Sequence, residues 1–144
     1  MADYDQIREV DEAISAGENA LRSLEQAHVM LSKASTWGLF DIFGGGIITG
    51  IMKHARLQEA QRCMNEARQD LSYFSKELQD IQNMQGIKPI VGDFLTFADF
   101  FFDNAIADIF VQVKISEAKS QVEDFIRRTR ELVRQLYEYR KQIS

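Results

Sequence analysis

The chain has 144 residues, 45% hydrophobic and 27% charged, with a single proline and a single cysteine. That length supports one modest core, and the apolar content argues against wholesale disorder. A net charge of −5 disfavours nucleic acid as a partner, and Cys63 has no second cysteine with which to form an internal disulfide.

The amino-terminal Met-Ala-Asp-Tyr-Asp has neither the basic start nor the apolar run of a secretory signal, so a reducing cytoplasm is the expected compartment. Charge is unevenly spread. Residues 1–35 hold 3 basic and 7 acidic side chains, and residues 93–118 hold 1 and 5. Residues 119–144 reverse the balance with 7 and 4. Acids interrupt that basic end, which therefore reads as a solvated helix face.

The first predicted element is a helix over about residues 3–35. Ile7, Val10, Ile14, Gly17, Leu21, Leu24, His28 and Leu31 follow alternating steps of three and four, the seam of a coiled-coil-like bundle. Gly17 on that seam has two readings, a close helix crossing or a tolerated weak point.

Residues 36–46 break the pattern. Gly38 and Gly44-Gly45-Gly46 predict a turn, while Trp37, Leu39, Phe40, Ile42 and Phe43 are too apolar for a solvated loop. They are expected to cap one end of the bundle. A second helix is predicted over about residues 47–83, with the seam Leu57, Ala60, Met64, Ala67, Leu71, Phe74, Leu78 and Ile81. Glycine and proline punctuation predicts a linker at 84–92. Asp93 then opens a short apolar segment, 93–103, and a break is expected near Asn104. The third helix is predicted over about residues 104–142, with the seam Ile115, Ala118, Val122, Phe125, Thr129, Leu132, Leu136 and Tyr139.

The second and third seams superimpose at a constant offset of 58 residues. Asp41 then matches Asp99, Arg56 matches Lys114, and Glu59-Ala60 matches Glu117-Ala118, which suggests an ancient duplication. The glycine triplet has no counterpart in the second copy, so Asp41, Asp99 and Gly44 to Gly46 are read as structural turn residues. The expected fold is all-α, an antiparallel bundle of three long helices with a possible short fourth segment in one domain.

Sites of chemistry are sparse. The glycine triplet lacks both the G-x-x-x-x-G-K-[ST] pattern and a preceding strand, so a phosphate cradle is disfavoured. Glu25-x-x-His28 has the spacing of a di-iron helix motif, but only one copy is present. Asp99 and Asp103, one turn apart among phenylalanines, are expected to serve polar satisfaction of a kink. Cys63 reads as a buried thiol. No catalytic, metal or cofactor residue is assigned. Residues 37–52 are too short to span a membrane, and residues 94–113 carry three aspartates.

Trp37-Gly-Leu-Phe-Asp41 followed by Gly44-Gly45-Gly46 and Lys53-His54 resembles a pattern in uncharacterised bacterial helical proteins, which implies no particular activity. A helical hairpin with tryptophan at its turn is also similar to the WXG family of small secreted proteins. Gly38, however, follows Trp37 directly instead of standing one residue further on, and the chain carries an extra helix, so no assignment to that family is made.

The expected function is non-enzymatic: a cytoplasmic, bacterial-type interaction or scaffold protein, self-associating as a homodimer or binding another protein. Trp37, Phe40 and Phe43 at one apolar cap, and Phe97, Phe100 and Phe101 at the other, are the candidate contact residues. The alternative is peripheral membrane binding through segments 37–52 and 94–113. A small-ligand or metal-binding bundle ranks below both.

Overall fold

A computed structural model describes residues 4–44, 47–81, 92–96, 98–99 and 112–144, and the side chains of 5–33, 58–81, 92–96, 98–99 and 118–144. Every described residue except Ser144 is helical, as the sequence pattern predicts. The long elements are α1 (Tyr4–Gly44), α2 (Ile47–Ile81) and α3 (Gln112–Ile143), of 41, 35 and 32 residues. At 1.5 Å per residue, α1 is about 60 Å long. A short helical segment at residues 92–96 and 98–99 lies between α2 and α3 in the chain.

The turn expected at 36–46 is corrected in one respect. Helix α1 runs through Gly38 and stops only at Gly44, and α2 begins at Ile47. A single helical glycine costs about 1 kcal/mol, which the surrounding turns absorb, whereas three in succession multiply that cost. Gly45, Gly46 and the linker at 82–91 lie outside the described residues, as does the expected break at Asn104.

Helix α1 is the spine. It packs against both α2 and α3, while among the described residues no Cα atom of α2 comes within 8 Å of one of α3. Both partners run antiparallel to it. Gly17 meets Phe74 and Ser23 meets Asp70 on α2. On α3, Asp11 meets Arg140, Glu18 meets Tyr137, Glu25 meets Arg130 and His28 meets Glu123.

A helix flanked on two sides needs a wider buried face than a single seam provides. On α1 that face is Val10, Ala13, Ile14, Ala16, Ala20, Leu24, Ala27 and Leu31. Leu21 and His28, placed on the seam by periodicity, are only half-buried. Alanines take their place, because a small side chain lets two neighbouring backbones come close at once. On α2 the predicted seam from Ala60 to Ile81 is buried throughout, with Cys63 beside it. On α3 the seam from Ala118 to Leu136 is buried, Val133 joins it, and Tyr139 is half-buried.

The gap between α2 and α3 is filled by the short segment. Phe94 stands edge-on to Phe74 of α2, with ring centroids 5.5 Å apart, and edge-on to Phe125 of α3 at 5.4 Å. Thr96 closes the segment's turn by donating its hydroxyl to the Gly92 carbonyl at 3.0 Å.

Thr129 is the one polar residue among the described side chains to be fully buried, and its hydroxyl has no hydrogen-bond partner. An unmet buried hydroxyl costs about 1–3 kcal/mol. Thr129→Val keeps the branched shape and removes that cost. It is expected to raise stability by about 1 kcal/mol, read as a gain of roughly 2–4 °C in Tm for a chain of this size.

Candidate interaction surface

The antiparallel arrangement determines which ends of the helices meet. The carboxyl end of α1 at Gly44, the amino end of α2 at Ile47 and the amino end of α3 at Gln112 lie at the same end of the rod. Trp37, Phe40, Asp41, Phe43 and Gly44 occupy the last turns of α1, with their side chains outside the described set. Phe97, Phe100 and Phe101 lie outside the described residues. Asp99 is exposed, and it lines a polar cavity of about 380 Å³ against Arg68, Ser72, Lys76 and Gln79 of α2.

Part of the second apolar segment is interior. Phe94 and Ala98 are buried against the helices, so 94–113 is not a continuous outward surface. The rest of the described body exposes large apolar side chains only singly, at Val29 on α1, Tyr73 on α2 and Tyr137 on α3. Scattered residues of this kind are ordinary for a folded chain and make no docking patch. The Tyr137 hydroxyl donates to Glu18 across the α1–α3 contact, a bond that pushes its own pKa up.

The basic end of the sequence acquires a role that composition does not reveal. It is paired with the acidic α1. Arg140 donates to Asp11, Arg130 donates to Glu25 at 3.2 Å, and His28 contacts Glu123 at 2.9 Å. The His28 bond, more than any nearby charge, holds the Glu123 carboxyl below its ordinary range. These pairs are solvent-exposed and individually worth little, but together they set the register of α3 on α1. Within α3, Arg127 and Arg128 both hold Asp124, while Arg134 and Gln135 hold Glu131, whose carboxyl falls to about 2.

Glu25 and His28, the di-iron-like pair in sequence, are thus each engaged by a different residue of α3. Cys63 is buried, and burial pushes its thiol above the ordinary value. A smaller cavity of about 300 Å³ has Phe94 and Leu132 among its lining residues, with Arg127, Arg128, Asp93 and Glu131 around it. Its two cations and two carboxylates balance, so it favours neither sign of ligand.

One cluster escaped the sequence reading. Carboxylate oxygens of Glu9, Glu12 and Glu77 lie within 4.8 Å of one another across the α1–α2 contact. Glu9 and Glu12 are visibly a turn apart in sequence, but nothing in the sequence pairs them with Glu77.

No helix, over the described residues, is long and apolar enough to cross a membrane. No known protein family, curated protein or solved structure matches the chain.

Proposed function

We propose that this chain is a non-enzymatic helical interaction protein, resident in a reducing cytoplasm, that self-associates through the apolar end of its rod. The observation that supports this reading is the contrast between the two parts of the molecule. The described body consumes its apolar seams internally and leaves only isolated apolar residues outside. The helix termini carrying Trp37, Phe40 and Phe43 and the Ile47–Met52 stretch converge at one end. A self-complementary apolar end is buried most simply by a second copy, in a two-fold contact. Phe97, Phe100 and Phe101 belong to the same proposal through their position in the apolar sequence flanking Ala98.

The test is light scattering coupled to size exclusion, with and without anionic liposomes, using the emission of Trp37, the chain's single tryptophan, as a local probe. A dimer that ignores lipid, with Trp37 emission shifting to the blue as concentration rises, is the expected result. A monomer that moves into the liposome fraction would replace this reading with membrane-surface binding by residues 37–52. Phe40→Ser combined with Phe43→Ser is expected to yield monomer without loss of helix content.

A further inference from the structure

Among the described side chains, Arg68 of α2 is the one arginine that makes no ion pair and no hydrogen bond. Every other described arginine lies against a carboxylate or, for Arg22, the Asn19 amide. Lys76, two turns further along α2, is also unpaired, although Asp80 stands four residues away on the same helix. Both cations line the cavity of about 380 Å³ between α2 and the short segment, together with Ser72, Ser75 and Gln79. At 3.6 residues per turn these five positions fall within about 100° of arc, so one strip of the helix carries every donor. Helical serines commonly turn the hydroxyl back onto the carbonyl four residues earlier, as Ser32 does onto His28 at 2.9 Å. Ser72 and Ser75 do not, and their hydroxyls are left for a ligand.

The opposite wall carries Asp99, exposed and likewise unpaired. Neither cation comes within ion-pair distance of it, so the cavity holds its positive and negative sides apart. Leu71 and Ala98, both buried, supply an apolar floor. The smaller cavity beside Phe94 differs, because its Arg127 and Arg128 are already held by Asp124.

We propose that the cavity between α2 and Asp99 binds a small phosphomonoester that also carries an ammonium group. Arg68, Lys76, Ser72 and Ser75 hold the phosphate, and Asp99 holds the ammonium. The volume lies in the range of about 300–1,000 Å³ typical of small-molecule sites. A phosphomonoester carries close to two negative charges at neutral pH and three acceptor oxygens, which match two cations and two hydroxyls. A phosphodiester, as in a lipid headgroup, and a carboxylate each bring one charge and two oxygens, and leave one cation unanswered. Two cations and one carboxylate leave the cavity at +1, and a dianion with one ammonium sums to −1, so the filled site is neutral. The site is independent of self-association. Arg68 lies 21 residues beyond Ile47, about 30 Å along α2 from the apolar end of the rod.

The test is calorimetric titration of the full chain in phosphate-free buffer at about pH 7.5, above the second phosphate pKa of about 6. The probes are phosphoethanolamine, inorganic phosphate and glycerophosphoethanolamine, the corresponding diester. Phosphoethanolamine is expected to bind saturably with one molecule per chain, and the diester about tenfold more weakly. Arg68→Gln and Lys76→Gln are each expected to weaken phosphoethanolamine by about tenfold, the scale of one charge-assisted hydrogen bond. Arg62→Gln makes the same charge change on the same helix outside the cavity and should leave affinity unaltered. Asp99→Asn should weaken phosphoethanolamine by about tenfold without weakening inorganic phosphate. All four substituted side chains are exposed, so each variant should keep the wild-type Tm. Absence of saturable phosphoethanolamine binding, an equal loss in Arg62→Gln and Arg68→Gln, or indifference to Asp99→Asn would each overturn the proposal.

Discussion

Gly17→Ala is expected to destabilise the protein by about 1–2 kcal/mol, against the sign that helix propensity alone gives. Alanine in a helix interior is favoured over glycine by about 1 kcal/mol. Here, however, an added Cβ would sit 2.7 Å from a Val133 methyl carbon and 2.9 and 3.0 Å from two Phe74 ring carbons. Neither neighbour yields easily. Phe74 is fully buried and held edge-on by Phe94, and Val133 is buried with a β-branched side chain that has few rotamers. Overpacking of such a site costs about 1–3 kcal/mol. Gly17→Leu, with three further carbons, is expected to prevent α1 from seating on α2 and α3 together. Denaturant unfolding measures the first effect, and Val133→Ala tests its cause. In a double-mutant cycle, Val133→Ala should recover part of the loss caused by Gly17→Ala. Equal or higher stability for Gly17→Ala would mean that the glycine is merely tolerated.

The same residue shows how far the sequence could be read. Periodicity located Gly17 on a buried seam, and the seams of α2 and α3 from Ala60 to Ile81 and from Ala118 to Leu136 were legible because each packs against one long helix, α1. Large apolar residues then recur at the helical period. The buried face of α1 was harder to read. It faces two neighbours, and Ala13, Ala16, Ala20 and Ala27 carry too little hydrophobic signal to outweigh Leu21 and His28. The end of α1 was placed too early because Gly38 was given the weight of a breaker that the triplet at Gly44 alone deserved. Contacts between distant acids, such as Glu9 with Glu77, leave no local trace at all. The 58-residue offset stands differently. Its paired seam positions from Ala60 and Ala118 to Leu78 and Leu136 are buried on both α2 and α3, and Phe74 and Val133, spaced by nearly that offset, meet at the same glycine. Two helices that run parallel on either side of one spine require similar faces, so shared burial is expected with or without a duplication.

Phe125→Ala is expected to produce the largest loss of any single truncation argued here, about 3–5 kcal/mol. Phe125 is fully buried on α3, and its ring is one of two that clasp Phe94. With total stabilities of about 5–15 kcal/mol for single domains, such a loss is enough to leave a sizeable unfolded fraction at physiological temperature. The position of Phe94 separates two explanations of that loss. If Phe125 mattered only for the area it buries against α1, truncating Phe94 would add independently to truncating Phe125. Since α2 and α3 do not touch through their backbones, the Phe74–Phe94–Phe125 stack instead carries much of the contact between them. The two truncations should therefore be less than additive, with a coupling of about 0.5–1.5 kcal/mol for an edge-on aromatic pair. Phe94→Leu, which keeps apolar volume but loses the ring edge, should retain most of the stability and lose the coupling. Full additivity in the cycle would mean that α1 alone holds α2 and α3 in place and that the short segment only covers the gap between them.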